Sequence, residues 1–96
     1  MILEVAILNI KSGMSDKFEI AFKQAQTIIS VMPGYIKHDL QKCLEKRDRY
    51  ILLVYWQTLE DHTIGFRQSE KYQIWRQLLH HFYAPFPTVE YYTSIL

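Results

Sequence analysis

Hydrophobic and polar residues follow two different periods along the chain, and the switches between them divide it into successive elements. Ile2 to Ile10 and Arg49 to Trp56 are apolar on both faces and predict strands. Apolar residues recur at helical spacing from Phe18 to Met32. In chain order, the predicted elements are a strand over 2–10, a helix over 15–32, a half-exposed strand over 35–44, a strand over 49–56, a helix broken into 59–66 and 70–82, and a strand over 88–96. This order predicts one α+β domain over residues 1–96, with the ferredoxin-like β-α-β-β-α-β arrangement and a four-stranded antiparallel sheet.

Polar residues at the boundaries of the predicted helices indicate where each helix begins and ends. Ser15 is placed to cap the first helix with its hydroxyl, and Pro33-Gly34 terminates that helix. Thr58 and Asp61 have the spacing of a capping box at the start of the next helix. Ser69 is the expected N-cap of the last helix. These signals place the helix boundaries independently of the apolar periodicity.

The two strands that are apolar on both faces predict association with another chain. In the ferredoxin-like arrangement the helices cover one face of the sheet, and the other face of a monomer should be polar. Here 49% of the residues are apolar, and leaving this face in water costs about 25 cal/mol per Å². Packing against a second copy removes that surface, so we expect a homodimer. A covering layer supplied by a different chain is the alternative.

The composition of the chain limits which partners and which cellular compartment we expect. The net charge is +1, the sequence pI is about 7.9 and no basic run occurs, so nucleic acid is not an expected partner. The single cysteine, Cys43, excludes an intramolecular disulfide and fits a reducing compartment. Glu4 interrupts the short N-terminal apolar run, which therefore does not resemble a signal peptide. No stretch approaches the roughly 18 apolar residues of a membrane span. We expect a cytoplasmic protein with no membrane partner.

The sequence contains no recognisable cofactor site. Its three glycines, Gly13, Gly34 and Gly65, stand singly, so the Gly-rich loop that cradles the phosphates of a nucleotide or flavin is missing. His80 and His81 are adjacent, and neighbouring residues on a helix point about 100° apart, which disfavours a shared metal ion. A role for one of them at the helix C-terminus, near the negative end of the dipole, is the simpler interpretation. We therefore expect neither a cofactor nor a metal.

His62 is the strongest candidate for chemistry. Its spacing from Leu59 and Phe66 turns it toward the sheet together with them. A lone histidine on an apolar face can be a hydrogen-bonded core residue. It can also be a neutral imidazole that acts as a base in a pocket.

A second group of candidates follows on the last helix. Tyr72 and Trp75 belong to an apolar stripe at helical spacing, which core packing alone would explain, although both side chains carry polar tips that need partners when buried. Arg67 and Arg76 can hold an anion or simply lie on the solvated surface.

Several short motifs resemble the antibiotic biosynthesis monooxygenase (ABM) family. They are Met32-Pro33-Gly34-Tyr35 after the first helix, residues 52–56 in the third strand, Thr58-Leu59-Glu60-Asp61-His62 at the next helix, and residues 80–91 near the C-terminus. Length and element order agree, so the resemblance covers essentially the whole chain. It implies a dimeric α+β barrel with a pocket in each subunit between sheet and helices. It also implies oxidation of a phenolic or quinol substrate by O₂ without bound flavin, metal or haem.

The chain departs from the family pattern at two places that matter for chemistry. Oxygenating members can carry an amide residue and a tryptophan one turn apart on the helix after the third strand, where this chain has His62 and Phe66. Members that degrade haem use an asparagine on the first strand and a tryptophan on that same helix. Here Asn9 lies late in its strand, and Phe66 occupies the tryptophan position. The resemblance therefore does not imply haem degradation.

The sequence is accordingly interpreted as a cofactor-independent monooxygenase acting on a phenol-like aromatic molecule. His62 is the predicted base; Trp75, Tyr72 and Arg67 are predicted to orient the substrate, and Phe66 and Tyr55 to form pocket walls. A non-catalytic ligand-binding dimer and a pure assembly module are the alternatives. A cavity with converging polar side chains favours the first two functions, and a filled core favours the third.

Overall fold

The structure, a computed structural model, describes residues 1–96 and confirms the predicted ferredoxin-like order. Its elements are β1 (Ile2–Asn9), α1 (Ser15–Ile29), β2 (Tyr35–Lys42), β3 (Arg49–Trp56), a π-helix (Asp61–Phe66), α2 (Glu70–Leu79), a 3-10 turn (His80–Phe82) and β4 (Val89–Tyr92). All strand pairs are antiparallel and the sheet order is β2-β3-β1-β4. The sheet is open, so one chain by itself does not form a barrel. No helix is both long and apolar enough to cross a membrane.

Strict alternation along the two central strands separates a covered face from an open face. The covered face packs against both helices and supplies much of the core, with Ala6, Leu8, Tyr50, Leu52, Val54 and Trp56 buried. The helices contribute Phe18, Phe22, Ala25 and Ile29 from α1 and Trp75 and Leu79 from α2. The open face carries Leu3, Val5 and Ile7 of β1 beside Ile51, Leu53 and Tyr55 of β3. The two-faced apolar character predicted for these strands is therefore present.

Two of the predicted helix caps are confirmed. The backbone N–H of Thr58 donates to Asp61 Oδ2 at 3.1 Å, and the N–H of Asp61 donates to Thr58 Oγ1 at 3.2 Å, which is the reciprocal pair of a capping box. The Ser69 hydroxyl accepts from the N–H of Tyr72 at 3.2 Å. Gly34, at φ +83°, lies so close to the capping box that a Cβ atom there would be 2.1 Å from Asp61 Cγ. The turn after α1 and the start of the π-helix are thus fitted to each other.

The predicted cap of α1 is wrong. Met14 is the N-cap residue and makes no side-chain capping bond, while Ser15 is buried. The Ser15 hydroxyl donates instead to Asp48 Oδ1 at 2.5 Å, in the turn between β2 and β3. The hydroxyl is used for a long-range contact that fixes the helix against the sheet. The last strand is also shorter than predicted, because only Val89–Tyr92 pairs with β1.

Candidate active site

A cavity of about 60 Å³ lies between the covered face of the sheet and the π-helix, α2 and the loop before β4. Its apolar wall consists of Ala6, Leu8, Leu52, Trp75, Phe86 and Val89. Its polar lining consists of Glu4, His62, Arg67, Tyr72, His80 and Tyr83. Polar and titratable side chains therefore converge on an otherwise apolar space, which is the usual composition of a small-molecule site.

The π-helix brings His62 to this cavity. Its wider turn, seen in the 3.0 Å hydrogen bond from the N–H of Arg67 to the carbonyl of His62, places residues four apart on one side. His62 and Phe66 are consequently both buried against the sheet. The next residue, Arg67, is exposed and lies at the mouth of the cavity. Short π-helical segments are frequent at functional sites, because they turn side chains away from their α-helical directions.

Glu4 is the residue that sequence reasoning missed. It lies on the covered face of β1, with Val54 of β3 on one side and Tyr91 of β4 on the other, and is only 5% exposed. The indole N–H of Trp56 donates to Glu4 Oε1 at 2.9 Å, and His62 Nε2 lies 3.4 Å from the same oxygen. A carboxyl group is therefore buried within the core, in contact with the predicted base.

The other ring nitrogen of His62 is also occupied. Its Nδ1 lies 2.5 Å from the hydroxyl of Tyr91, which faces the cavity side of β4. One tautomer is compatible with both contacts when Glu4 is ionised: the Tyr91 hydroxyl donates to Nδ1, and Nε2, 3.4 Å from Glu4 Oε1, carries the ring proton. The three side chains form a continuous series of contacts from β1 through the π-helix to β4, with Glu4 and His62 buried and Tyr91 half-buried.

Burial moves the two central groups of this chain toward their neutral forms. Desolvation raises the pKa of Glu4 from 4.5 to about 7, against the opposing effects of the Trp56 hydrogen bond and the positive charge of Arg67. Desolvation lowers the pKa of His62 from 6.5 to about 4, and the charge of Arg67 adds to that shift. At neutral pH the imidazole is neutral, and the carboxyl group is divided between its two forms. The carboxyl group, rather than the imidazole, is thus poised for proton exchange near pH 7.

Two tyrosines near Glu4, Tyr83 and Tyr91, remain protonated. Burial raises the pKa of Tyr83, and the charge of Glu4 contributes to that shift. Burial also raises the pKa of Tyr91. Both hydroxyls are therefore hydrogen-bond donors over the physiological range, available to an anion or to an imidazole nitrogen.

The structure brings together most of the predicted site residues. His62, Arg67, Tyr72 and Trp75 all line the cavity. Phe66 does not line it but packs behind it, with ring centroids 5.2 Å from Tyr72 and 5.6 Å from Trp75. It supports the wall formed by these two side chains.

Tyr55 is not brought to the site. It pairs with Leu3 on the open face, on the opposite side of the sheet from Glu4 and His62. The ammonium group of Lys37 lies 4.8 Å from the centroid of its ring. Tyr55 therefore cannot form a wall of this cavity within one chain.

The paired histidines have separate environments. His80 lines the cavity with its ring 4.9 Å from Phe86 and 5.9 Å from Tyr72, whereas His81 is exposed. Burial lowers the pKa of His80, and Arg76 adds to that shift. No cluster of three or more His, Cys, Asp or Glu side chains has the arrangement of a metal site.

Comparisons with known proteins agree with this architecture. The chain is 57% identical over 95 residues to the uncharacterised protein YczJ of Bacillus subtilis (strain 168), covering 99% of this chain and 100% of that one. A solved structure of a proposed antibiotic biosynthesis monooxygenase from Bordetella bronchiseptica is 32% identical, with a TM-score of 0.94 over 99% of this chain and 97% of the other. SnoaB, a cofactor-independent oxygenase from Streptomyces nogalater, shares the fold at 16% identity, with a TM-score of 0.82 over 99% and 93% of the two chains.

The resemblance inferred from the short motifs is confirmed at the level of the family. A family model described as antibiotic biosynthesis monooxygenase (ABM) matches residues 1–78, a span that contains β1, the π-helix and most of α2. This chain belongs to the ABM family.

Proposed function

We propose that this protein is a monooxygenase that oxidises a phenol- or quinol-like aromatic molecule with O₂ and without a bound cofactor. The observation that carries the proposal is the cavity itself, in which a buried carboxyl–imidazole pair faces apolar and aromatic walls. Reaction of a phenol with O₂ begins with removal of the phenolic proton, because the phenolate is far richer in electrons. A buried base in a water-poor pocket suits that step.

The overall reaction balances without an external reductant. A phenol with a free para position and one O₂ give a para-quinone and one water molecule. One oxygen atom enters the ring, the other leaves as water, and the substrate supplies all four electrons. The protein needs to accept a proton, hold the phenolate in place and exclude bulk water while O₂ reacts.

Each cavity residue has a task in this scheme. The Glu4–His62 pair removes the proton, Tyr72 and Trp75 hold the aromatic ring, and Arg67 at the mouth stabilises negative charge. Phe66 fixes the positions of Tyr72 and Trp75 from behind. SnoaB, which shares this fold, is a cofactor-independent oxygenase, and that supports the same class of chemistry here.

The cavity must enlarge to admit a substrate. Its volume of about 60 Å³ is well below the roughly 300–1,000 Å³ of ordinary ligand sites. Phe86 is 62% exposed and packs on His80 and Tyr83 at the rim. Rotation of this side chain outward opens the space between the rim and Arg67.

Incubation with 1-naphthol and ¹⁸O₂ tests the proposed activity. The expected product is 1,4-naphthoquinone carrying one labelled oxygen atom, detected by mass spectrometry. Release of hydrogen peroxide with no label in the product would indicate an oxidase instead. The same assay on a panel of phenols and quinols defines the preferred substrate.

The polar side chains that converge on the cavity also fit a second candidate, a non-catalytic protein that binds a small ligand in the same place. Measurement of O₂ consumption distinguishes the two functions. A binding protein retains phenols without consuming O₂ at any pH, whereas the monooxygenase consumes one O₂ for each quinone formed.

The open face of the sheet supports a homodimer as the working form. Its centre is apolar and uncharged, with Leu3, Val5, Ile51 and Leu53 on adjacent strands. Charged residues flank this centre on the edge strands, namely Lys37 and Asp39 on β2 and Glu90 on β4. An apolar centre with a polar rim is the usual anatomy of a stable interface, and a two-fold axis would pair this face with itself. Light scattering should give about 23 kDa, twice the chain mass of 11.5 kDa.

A further inference from the structure

Building on the proposed oxidation of a phenol, we infer that Oε2 of Glu4 is the atom that accepts the phenolic proton, and that His62 is a positioning residue. No feature of the ABM resemblance points to Glu4. The inference depends on three observations about this carboxyl group: one unpartnered oxygen, an imidazole whose nitrogens are both engaged, and donors on the far side of the cavity.

The first observation concerns the free oxygen of Glu4. Glu4 as a residue is 5% exposed, and both protein contacts of its carboxyl group, from Trp56 and from His62, go to Oε1. Oε2 has no hydrogen-bond partner in the protein. No fully buried side-chain oxygen or nitrogen in this protein lacks a partner, so Oε2 must be reached from the cavity that Glu4 lines. A buried acceptor left open to a cavity is placed to bind a hydroxyl group.

The second observation removes His62 as the proton acceptor. Its Nδ1 is held by the Tyr91 hydroxyl at 2.5 Å, and its Nε2 faces Glu4 Oε1 at 3.4 Å. Neither ring nitrogen is therefore free to accept a proton from the cavity in this arrangement. The imidazole instead fixes the orientation of the carboxyl group, so that Oε2 rather than Oε1 faces the substrate.

The third observation concerns the charge after proton transfer. The O–H bond of the phenol breaks, its electron pair stays on the phenol oxygen, and the proton forms a bond to Oε2. One negative charge therefore moves from Glu4 to the substrate, and the net charge of the cavity is unchanged. Arg67 stabilises either anion, and the hydroxyl of Tyr83, which also has no protein partner, can donate to the phenolate. The titratable groups that face Glu4 or line its cavity are His62, Arg67, Tyr72, His80, Tyr83 and Tyr91.

Calorimetric titration with phenol tests the assignment without any need for turnover. Phenol stays neutral across the relevant range, so its affinity should rise about tenfold between one pH unit below and one above the Glu4 pKa, as the acceptor becomes ionised. Anisole, which has the same ring and no O–H group, should show no such rise. In Glu4→Gln the rise should disappear, whereas Glu4→Asp, His62→Gln and the exposed control Glu60→Gln should retain it.

Oxidation of 1-naphthol supplies the second readout. Glu4→Gln should lower kcat/KM by roughly 10² to 10⁴-fold, the usual contribution of a general base. His62→Gln should cost about tenfold or less and keep the acid limb of the pH profile. If wild-type protein binds no phenol, if the rise persists in Glu4→Gln, or if His62→Gln alone abolishes it, the inference is wrong. If the binding results hold but no quinone forms, the proposed oxygenase activity fails while Glu4 stands as the phenol acceptor. If Glu4→Gln folds poorly, Glu4→Asp serves as the second test. It keeps a carboxyl group at this position and should therefore keep the pH-dependent rise in phenol affinity.

Discussion

The two faces of strand β1 reverse the arrangement expected of a small monomeric protein. On the covered face, Glu4 is 5% exposed and its carboxyl group accepts a hydrogen bond from the core residue Trp56. On the open face of the same strand, Ile7 is 41% exposed, and Leu3 and Val5 are only partly covered. A charged group is thus buried where the chain is most compact, while aliphatic groups meet solvent a few ångströms away.

This difference separates two functions of one sheet. Burying an ionisable carboxyl group lowers stability, so its presence in the core is best explained by chemistry in the adjoining cavity. Exposing an apolar strip is equally unfavourable, and it is relieved only when another surface covers the strip. In the proposed function, the covered face serves the reaction and the open face serves association.

The largest expected effect comes from breaking the open face. Leu53 lies at the centre of this face, paired with Val5 of β1 and Asp39 of β2. Leu53→Asp places one unpaired charge per protomer in the proposed interface, and each costs several kcal/mol to bury. The dimer should weaken by at least about 10³-fold in Kd. Sedimentation at micromolar concentration should then report the 11.5 kDa chain.

A matched substitution on the outer surface controls for added charge. Ile20 on α1 is 66% exposed and lies away from the sheet. Ile20→Asp should leave the dimer intact. A Leu53→Asp protein that still sediments at twice the chain mass would show that the open face is not the interface.

Glu4 and His62 should change the free energy of unfolding with pH in opposite directions, by about 3 kcal/mol each. Glu4 has a raised pKa, so the folded state holds its proton longer than the unfolded state, and stability falls as pH rises from 4.5 to about 7. His62 has a lowered pKa, so the unfolded state binds a proton first, and stability rises with pH from about 4 to 6.5. In the wild-type protein the two effects on the free energy of unfolding largely cancel between pH 4.5 and 6.5. Between pH 6.5 and about 7, only the decrease due to Glu4 remains.

Replacing either residue of the pair should reveal the pH dependence of stability that is due to the other. Glu4→Gln should leave stability rising with pH up to about 6.5, and His62→Gln should leave it falling from 4.5 to about 7, by roughly 3 kcal/mol in each case. Urea denaturation at a series of pH values and one protein concentration measures both profiles. Two parallel profiles would mean that these groups are not the buried pair described here.

The comparison of faces also explains how far the sequence could be interpreted. The element order follows from periodicity and from local signals, and the capping box of Thr58 and Asp61 is an example of a contact between near neighbours. Ser15 satisfied the same kind of local rule, but its hydroxyl bonds to Asp48, 33 residues away, and no local pattern encodes that partner. Contacts between distant elements depend on packing that a single sequence does not specify.

Two site residues show the same limit. Tyr55 is a predicted pocket wall that lies on the open face; both faces of β3 are apolar, and alternation alone cannot identify the face that the helices cover. In the sequence, Glu4 is only an interruption of an apolar run. Its period-two spacing places it on the same face as Ala6 and Leu8, but its burial depends on Trp56 and His62, more than fifty residues away.

The smallest expected effect compares two adjacent tyrosines on opposite faces of β4. Tyr91 is on the covered face and its hydroxyl bonds to His62 Nδ1, whereas Tyr92 is on the open face, 51% exposed, and bonds only to Glu90. Tyr91→Phe leaves a buried ring nitrogen without a partner, which should lower the free energy of unfolding by about 1–2 kcal/mol. Tyr92→Phe replaces a bond already exposed to water and should change it by less than about 0.5 kcal/mol. Denaturation of both variants at neutral pH measures the difference, and equal losses would contradict the distinction between the faces at this edge of the sheet. Because Tyr91 positions His62 rather than the substrate, Tyr91→Phe should also retain the pH-dependent rise in phenol affinity that Glu4→Gln loses.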